Sequence, residues 1–395
     1  MKTISCMIAV LLTMLTTTSA QWIVMDPVAD SMIKVGSRLV YNVEFDAAQE
    51  IFNEVTRTYP DQPAGFFLDA MIDWWRLKIG QRSPAIEASF LKKIDKVISV
   101  CDKQLDQTPR DILSLFFKGG ALGYRGRFHA MKQNMLSAAD DGRSALSILN
   151  DCQKLAPTNH DILLGTGLYN YWAAVLPDKY PALKPVMVFM PKGDKTIGIA
   201  QLRSAGRKAR YASVEAKVVL LDAFMYFEKS YYEAFEVAQD LRASYPGNPS
   251  FHIEYARALQ YLRRYDTAFK VWDEILDCNY RGKTGYLNRI IVREALYNMG
   301  EYKFYFDTDP ATAIVYLQRS LAESKVVDKE RIDWRHVKAL LLLGQVHDLT
   351  GKRNEAIAFY KQLRQTYEQA PNSGDPWFVK AHEDAGRYLS SPFKR

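Results

Sequence analysis

The chain has 395 residues, with 52 lysines and arginines against 45 aspartates and glutamates, for a formal charge of +7. Spread over that length, the surplus is too dilute for the concentrated basic face of a nucleic-acid binder, and no nucleic-acid partner is expected. Four widely spaced cysteines exclude a disulfide framework and a zinc motif, while 48% hydrophobic residues suffice for a large core.

Residues 1–20 read as a removable signal peptide. Lys2 supplies a charge, Ile8 to Leu15 an apolar stretch, and Thr18-Ser19-Ala20 a small-residue cleavage site before Gln21. Threonines interrupt that stretch well short of a membrane span, and Cys6 precedes it, which argues against a lipoprotein anchor. The expected address is therefore periplasmic, envelope-associated or extracellular. Cys101, Cys152 and Cys278 remain, each in an apolar helical stretch, and are expected to be buried.

From there the chain reads as a series of helical pairs. Segment 29–62 carries Gly36, Phe45, Ala48 and Pro60. The pair from 63 to about 107 has Ala70 in its first helix and a long, lysine-bearing second helix from about residue 84. The next starts near Asp111, with Gly120, Ala145 and Pro157 in register if a loop around 123–133 is lengthened. The pair from His160 places Gly167 in its first helix, then an insertion, 173–198, before a second helix carrying Ala200. Segments 215–248 and 249–282 follow, the first closed by Tyr245-Pro246-Gly247-Asn248, a turn signal. The pair at about 286–332 is stretched around 302–309 and has Ala313 as its small residue. Segment 337–370 has Gly344 and Ala356, with Arg353 where an aromatic would stand. In the tail, Asp375 and Pro376 open a last helix whose Phe378, Ala381, Ala385 and Leu389 recur at helical spacing.

The period is visible directly. Ala200, Ala234 and Ala268 are 34 residues apart, as are Ile197, Tyr231 and Tyr265. That step belongs to a helix–turn–helix unit that buries its apolar face only by stacking on its neighbours. Ala234 and Ala268 should be buried where helices cross. No stretch alternates with period two, so no sheet is expected.

These positions resemble the tetratricopeptide repeat pattern, most clearly in 29–62 and 215–282. The resemblance implies an all-α fold, a right-handed α-solenoid of about eight helical hairpins over 21–370, closed by a capping helix in 371–395. It also implies a concave groove, formed by the first helix of each pair, that holds a protein or peptide partner. Carried onto this sequence, the groove positions give Trp74, Trp75, Tyr171, Trp172, Tyr226, Phe227 and Tyr261. The set of charged residues that makes a carboxylate clamp is not present at the corresponding places, which hold Phe67, Leu68 and Met71, then Val219, Leu220 and Ala223, then Ile253, Glu254 and Arg257. The groove is then apolar and aromatic, unless the rings pack as ordinary core.

The 173–198 insertion is the least repeat-like segment. Pro177, Pro181, Pro185 and Pro191 argue against continuous helix, and Val186, Met187, Val188, Phe189 and Met190 form an apolar run flanked by Lys184, Lys192 and Lys195. It either folds down on the solenoid, filling the groove, or presents an exposed apolar loop to a membrane or partner. It also resembles, weakly, a loop in eukaryotic mitochondrial outer-membrane repeat proteins. Downstream, Arg203, Arg207, Lys208 and Arg210 make a basic face.

Catalytic motifs are missing. The six histidines show no HExxH spacing, and there is no phosphate loop, GxSxG elbow or dinucleotide fingerprint. Neither a metal nor a cofactor is expected. The expected function is that of an exported, non-enzymatic interaction scaffold. The alternative is a membrane-surface or lipid-associated protein acting through residues 181–192.

Overall fold

A computed structural model describes residues 26–81, 83–180, 184–188, 190–328, 331–370, 372 and 374–395. The signal segment 1–20, Phe189, and the side chain of Val186 lie outside what is described. Among the described residues every regular element is helical. The fold is all-α, built from helical hairpins in a repeat-like arrangement, and the chain divides into two compact units, 1–78 with 82–230, and 79–81 with 231–395.

In the first unit α1 (Pro27–Tyr41) pairs with α2 (Phe45–Thr58), α3 (Pro63–Lys78) with α4 (Pro84–Gln107), and α5 (Ile112–Met131) with α6 (Met135–Leu155). Then α7 (Ile162–Lys179), the short α8 (Lys184–Met187) and α9 (Lys195–Lys208) lead to α10 (Ser213–Asp222), which runs into a π-helical turn, Ala223–Glu228. Helix starts follow their caps. The Asp26 carboxylate accepts from Val28 N and Ala29 N at 2.8 and 2.9 Å ahead of Pro27, and Asp111 and Asp194 do the same for α5 and α9. The first helices of successive pairs also meet: α1 on α3, α3 on α5, α5 on α7, and α7 on α10.

Two long-range contacts close this array on itself. Arg210, just past α9, donates through Nε and Nη2 to Asp30 on α1, and the Tyr211 hydroxyl donates to the same carboxylate. Trp75 Nε1 on α3 donates to Glu215 Oε1 on α10 at 2.8 Å. Partners 180 and 140 residues apart thus hold the first and last helices of the unit around a common interior.

In the second unit, α11 (Tyr231–Ser244), α12 (Pro249–Tyr261), α13 (Tyr265–Tyr280), α14 (Arg289–Tyr305), α15 (Pro310–Val327), α16 (Trp334–Leu349) and α17 (Arg353–Gln369) pack each on the next. The last helix, α18 (Pro376–Ser390), lays Phe378, Ala381 and Ala385 on the core of α16 and α17. Arg353 stands in place of the usual aromatic for a reason: it pairs with buried Asp348 at 2.8 Å and donates to the Tyr388 and Leu389 carbonyls, tying down the end of α18.

The repeat register holds where the spacing was strongest. Ala234 and Ala268 are buried. A Cβ at Gly36 would collide with the Phe52 ring, and one at Gly344 with the Tyr360 ring, so the same glycine–aromatic contact recurs in 29–62 and 337–370. Elsewhere the structure corrects the sequence reading. Ala200 is exposed, and the close approach is made two residues earlier by Gly198, whose Cβ would meet Tyr171 N at 2.6 Å. Residues 123–131 are helix, not loop; Tyr124 and Phe128 are buried there and the connection is only Lys132–Asn134. Pro177 does not stop α7, because it lies in the last turn, where a kink disturbs little beyond it. Asp375 stands at the N-cap of α18, but its carboxylate takes Arg331 and Asn372 instead of the helix amides.

Candidate binding chamber

The first unit holds a half-open cavity of about 610 Å³. Its wall is drawn from nearly every helix of the unit: Tyr41 from α1, Phe67, Met71, Trp74 and Trp75 from α3, Tyr124 and Arg127 from α5, Leu146 and Leu149 from α6, Leu164 and Trp172 from α7, and Val219 and Phe227 from α10 and its turn. Trp75 and Tyr41 meet edge to face at 5.4 Å, Trp74 and Tyr124 at 5.3 Å, and Trp172 and Phe227 at 4.6 Å, a geometry that aromatic quadrupoles favour.

A small polar group is set into this wall. Glu215 is 6% exposed; its Oε1 accepts from Trp75, and its Oε2 satisfies no hydrogen-bond geometry. The nearest cation is Arg127, with Nη1 3.9 Å from that oxygen. The Arg127 guanidinium lies over the Trp74 ring at 4.8 Å and the Tyr124 ring at 5.3 Å. Burial, reinforced by the charge of Glu215 and by the hydrogen bond of the phenol to that carboxylate, pushes the Tyr124 phenol well above its usual value. Lys78 and Asp222, also in the wall, stand 3.8 Å apart. Asp161 is already engaged, accepting from Tyr211 N and Ala212 N.

The sequence-derived series divides. Trp74, Trp75, Trp172 and Phe227 line the chamber. Tyr171 is buried behind it, its hydroxyl donating to Glu228 Oε1 at 2.9 Å. Tyr226 is exposed, because the π turn changes the helical phase by which adjacent residues are placed. Tyr261 belongs to the second unit, half exposed and stacked on Tyr231 at 4.4 Å. Of the insertion, Tyr180, Met187 and Met190 complete the chamber wall, and α8 packs on α6 and α7. The Tyr169 hydroxyl holds the segment by donating to Pro191 O at 2.8 Å. Val188 instead is 77% exposed, between exposed Lys184 and Lys192. The basic face also divides: Arg207 and Lys208 are exposed, whereas Arg210 is spent on Asp30.

Sequence reasoning missed Glu215, Arg127 and Tyr124. One signal was available: α5 carries Gly119, Gly120, Gly123 and Gly126, a costly excess in a helix interior. A Cβ at Gly119 would press on Leu149, but at Gly123, in the chamber wall, it would meet nothing. Cys101, Cys152 and Cys278 are buried free thiols, and burial pushes Cys101 and Cys152 up to about 12. Among the described residues no group of three or more metal-ligating side chains converges, and no helix is long and apolar enough to cross a membrane.

The family model of the tetratricopeptide repeat matches residues 338–370, within one residue of the segment delimited by spacing. That segment matches the tetratricopeptide repeat pattern. Such repeats serve as scaffolds for protein–protein interaction, typically without catalysis of their own. No curated protein sequence matches the chain. Among solved structures it is similar to the human IFIT1 dimer with m7Gppp-AAAA, at 13% identity over 92% of this chain and 95% of that one, with a TM-score of 0.36. It is similar to the tetratricopeptide repeat domain of P58(IPK) at 15% identity, over 93% and 99% of the two chains, with a TM-score of 0.25. For Naa15/Naa10 bound to HypK-THB the values are 12%, 92% and 75%, with a TM-score of 0.33. At these scores the likenesses carry no argument about what the chain binds.

Proposed function

We propose that the protein is an exported, non-catalytic tetratricopeptide repeat scaffold that takes the apolar part of a partner into the aromatic chamber of its first unit. The observation that carries this reading is the 610 Å³ cavity with Trp74, Trp75, Trp172 and Phe227 in its wall. That volume lies within the range of ligand pockets and far above a packing defect. Export rests on the pattern of residues 1–20. Cell fractionation with N-terminal sequencing tests it: a mature chain starting at Gln21 outside the cytoplasm supports export, and an intact start in the cytoplasm overturns it. The chamber is tested by titrating the protein with N-phenyl-1-naphthylamine, an uncharged apolar fluorophore. Saturable binding that a bulky residue at Gly123 abolishes supports the reading, and binding indifferent to that change removes it.

Exposed Val188, flanked by Lys184 and Lys192, favours a second reading, contact with an anionic membrane surface. Co-sedimentation with phosphatidylglycerol vesicles tests it. Retained binding by Val188→Asp counts against this loop as the contact.

A further inference from the structure

We infer that the chamber holds a single-tailed lipid with an uncharged, hydroxyl-bearing head, of the monoacylglycerol class. The inference rests on the reading that the chamber is the binding site, and it narrows the occupant by chemistry.

A peptide segment is a poor occupant. Every residue would bring an amide N–H and a carbonyl into a wall that is mostly apolar, and unpaired backbone groups are costly to bury. An acyl chain has no such groups along its length. The volume lies in the middle of the range of ligand pockets, which suits a long chain with a small head. The wall is also adaptable where a flexible chain would need it. Met71, Met131, Met135, Met187 and Met190 all contribute, and methionine reshapes around irregular apolar contours at little cost.

The head is specified by the polar group. Glu215 is more than nine-tenths buried, and its Oε2 has the Tyr124 hydroxyl and, at 3.9 Å, Arg127 as its neighbours without a hydrogen bond of good geometry to either; a buried carboxylate oxygen, with two lone pairs, has room there for a well-placed donor. Arg127, held flat over two rings, offers N–H donors to an acceptor beside it. A glycerol head supplies both, with hydroxyls that donate to Glu215 and an ester or hydroxyl oxygen that accepts from Arg127. A carboxylate head is disfavoured. The charged side chains in the wall are three carboxylates, Asp161, Glu215 and Asp222, against two cations, Lys78 and Arg127, and a further anion would sit against Glu215.

The experiment is equilibrium binding of 1-monooleoylglycerol, methyl oleate and oleate to the chain lacking residues 1–20, below their aggregation thresholds, followed by tryptophan fluorescence and by native mass spectrometry. The expected result is one lipid per chain. Monooleoylglycerol should bind at least about tenfold tighter than methyl oleate, which has no donor, and oleate weakest, since one good charge-assisted hydrogen bond is worth a factor of that order. In Glu215→Gln, which keeps an oxygen for Trp75 but loses the second acceptor, the preference over methyl oleate should collapse. Gly123→Leu, whose side chain enters open space, should fold normally and lose all three ligands. If methyl oleate or oleate binds as well as monooleoylglycerol, or Glu215→Gln keeps the preference, the head assignment is overturned while the chamber stands. If none of the three binds, or Gly123→Leu binds them unchanged, the chamber itself is not the site.

Discussion

Removal of the Asp30 carboxylate should open the first unit. Asp30 is 9% exposed and accepts from Arg210 twice, from the Tyr211 hydroxyl, and from Lys34 at 3.0 Å. Four bonds to a charged acceptor, at about 1.5–3 kcal/mol each, set the gross scale. Arg210 is 29% exposed and recovers hydration when released, as the exposed Lys34 does, so the net loss for Asp30→Ala is about 2–4 kcal/mol. Asp30→Asn, which keeps the shape, should lose roughly half of that. The dependence on pH follows from the Arg210 hydrogen bonds, which hold the Asp30 carboxyl well below its ordinary 3.8. A depressed carboxyl pKa stabilises the fold fully above the unfolded value and loses that contribution as pH falls towards the folded one. Wild type and Asp30→Ala should therefore differ most above pH 5 and converge below about pH 4. Urea unfolding gives the energies, and hydrogen exchange gives the place: amides in 27–41 and 209–215 should lose protection first, because the clasp joins those segments. Unchanged exchange there, with an unchanged midpoint, would refute the claim that this contact closes the unit.

Ala268→Leu should overpack a residue that is 1% exposed and lower stability by about 1–3 kcal/mol, measured by denaturant unfolding; an unchanged midpoint would mean the register is wrong. Gly123→Ala should raise stability by roughly 0.5–1 kcal/mol, since the added methyl meets nothing within 4 Å and a helix-interior glycine is relieved; a lower melting temperature would show the space to be filled. Burial, aided by Arg242 and Lys283, pulls His252 down from 6.5 to about 3, so it is neutral in the fold. A neutral buried histidine leaves stability intact above pH 6.5 and costs up to about 1.4 kcal/mol per pH unit as pH falls below that. His252→Gln should remove one proton from this slope between pH 6 and pH 4, and a slope that persists would place the acid sensitivity elsewhere.

The hairpin order was legible because its signals are local. Pro27, Pro63, Pro84, Pro249, Pro310 and Pro376 each open a helix, and small residues such as Gly36, Ala234, Ala268 and Gly344 recur where helices must touch. The regular spacing failed at α9, where Gly198 took the contact expected of Ala200. There the preceding insertion, braced on Tyr169, resets the start of the helix, and spacing alone carries no record of an insertion's path. The chamber was half legible. Trp74, Trp75, Trp172 and Phe227 stood out as large rings at groove positions, but Glu215 did not, since one acid in an apolar helix reads as a surface residue until its helix is known to be enclosed. Closure itself depends on Asp30 meeting Arg210 across 180 residues, a separation that no periodicity encodes.

The central claim, that the first unit is built around a space meant for an apolar occupant, is tested most directly by collisional quenching with 12-bromododecanol. Trp74, Trp75 and Trp172 all line the chamber, and a bromine carried into it lies against their rings. Saturable quenching of the wild type at one probe per chain, lost in Gly123→Leu with the fold intact, is the predicted result. Quenching that rises without saturation, or equally in both proteins, would contradict it.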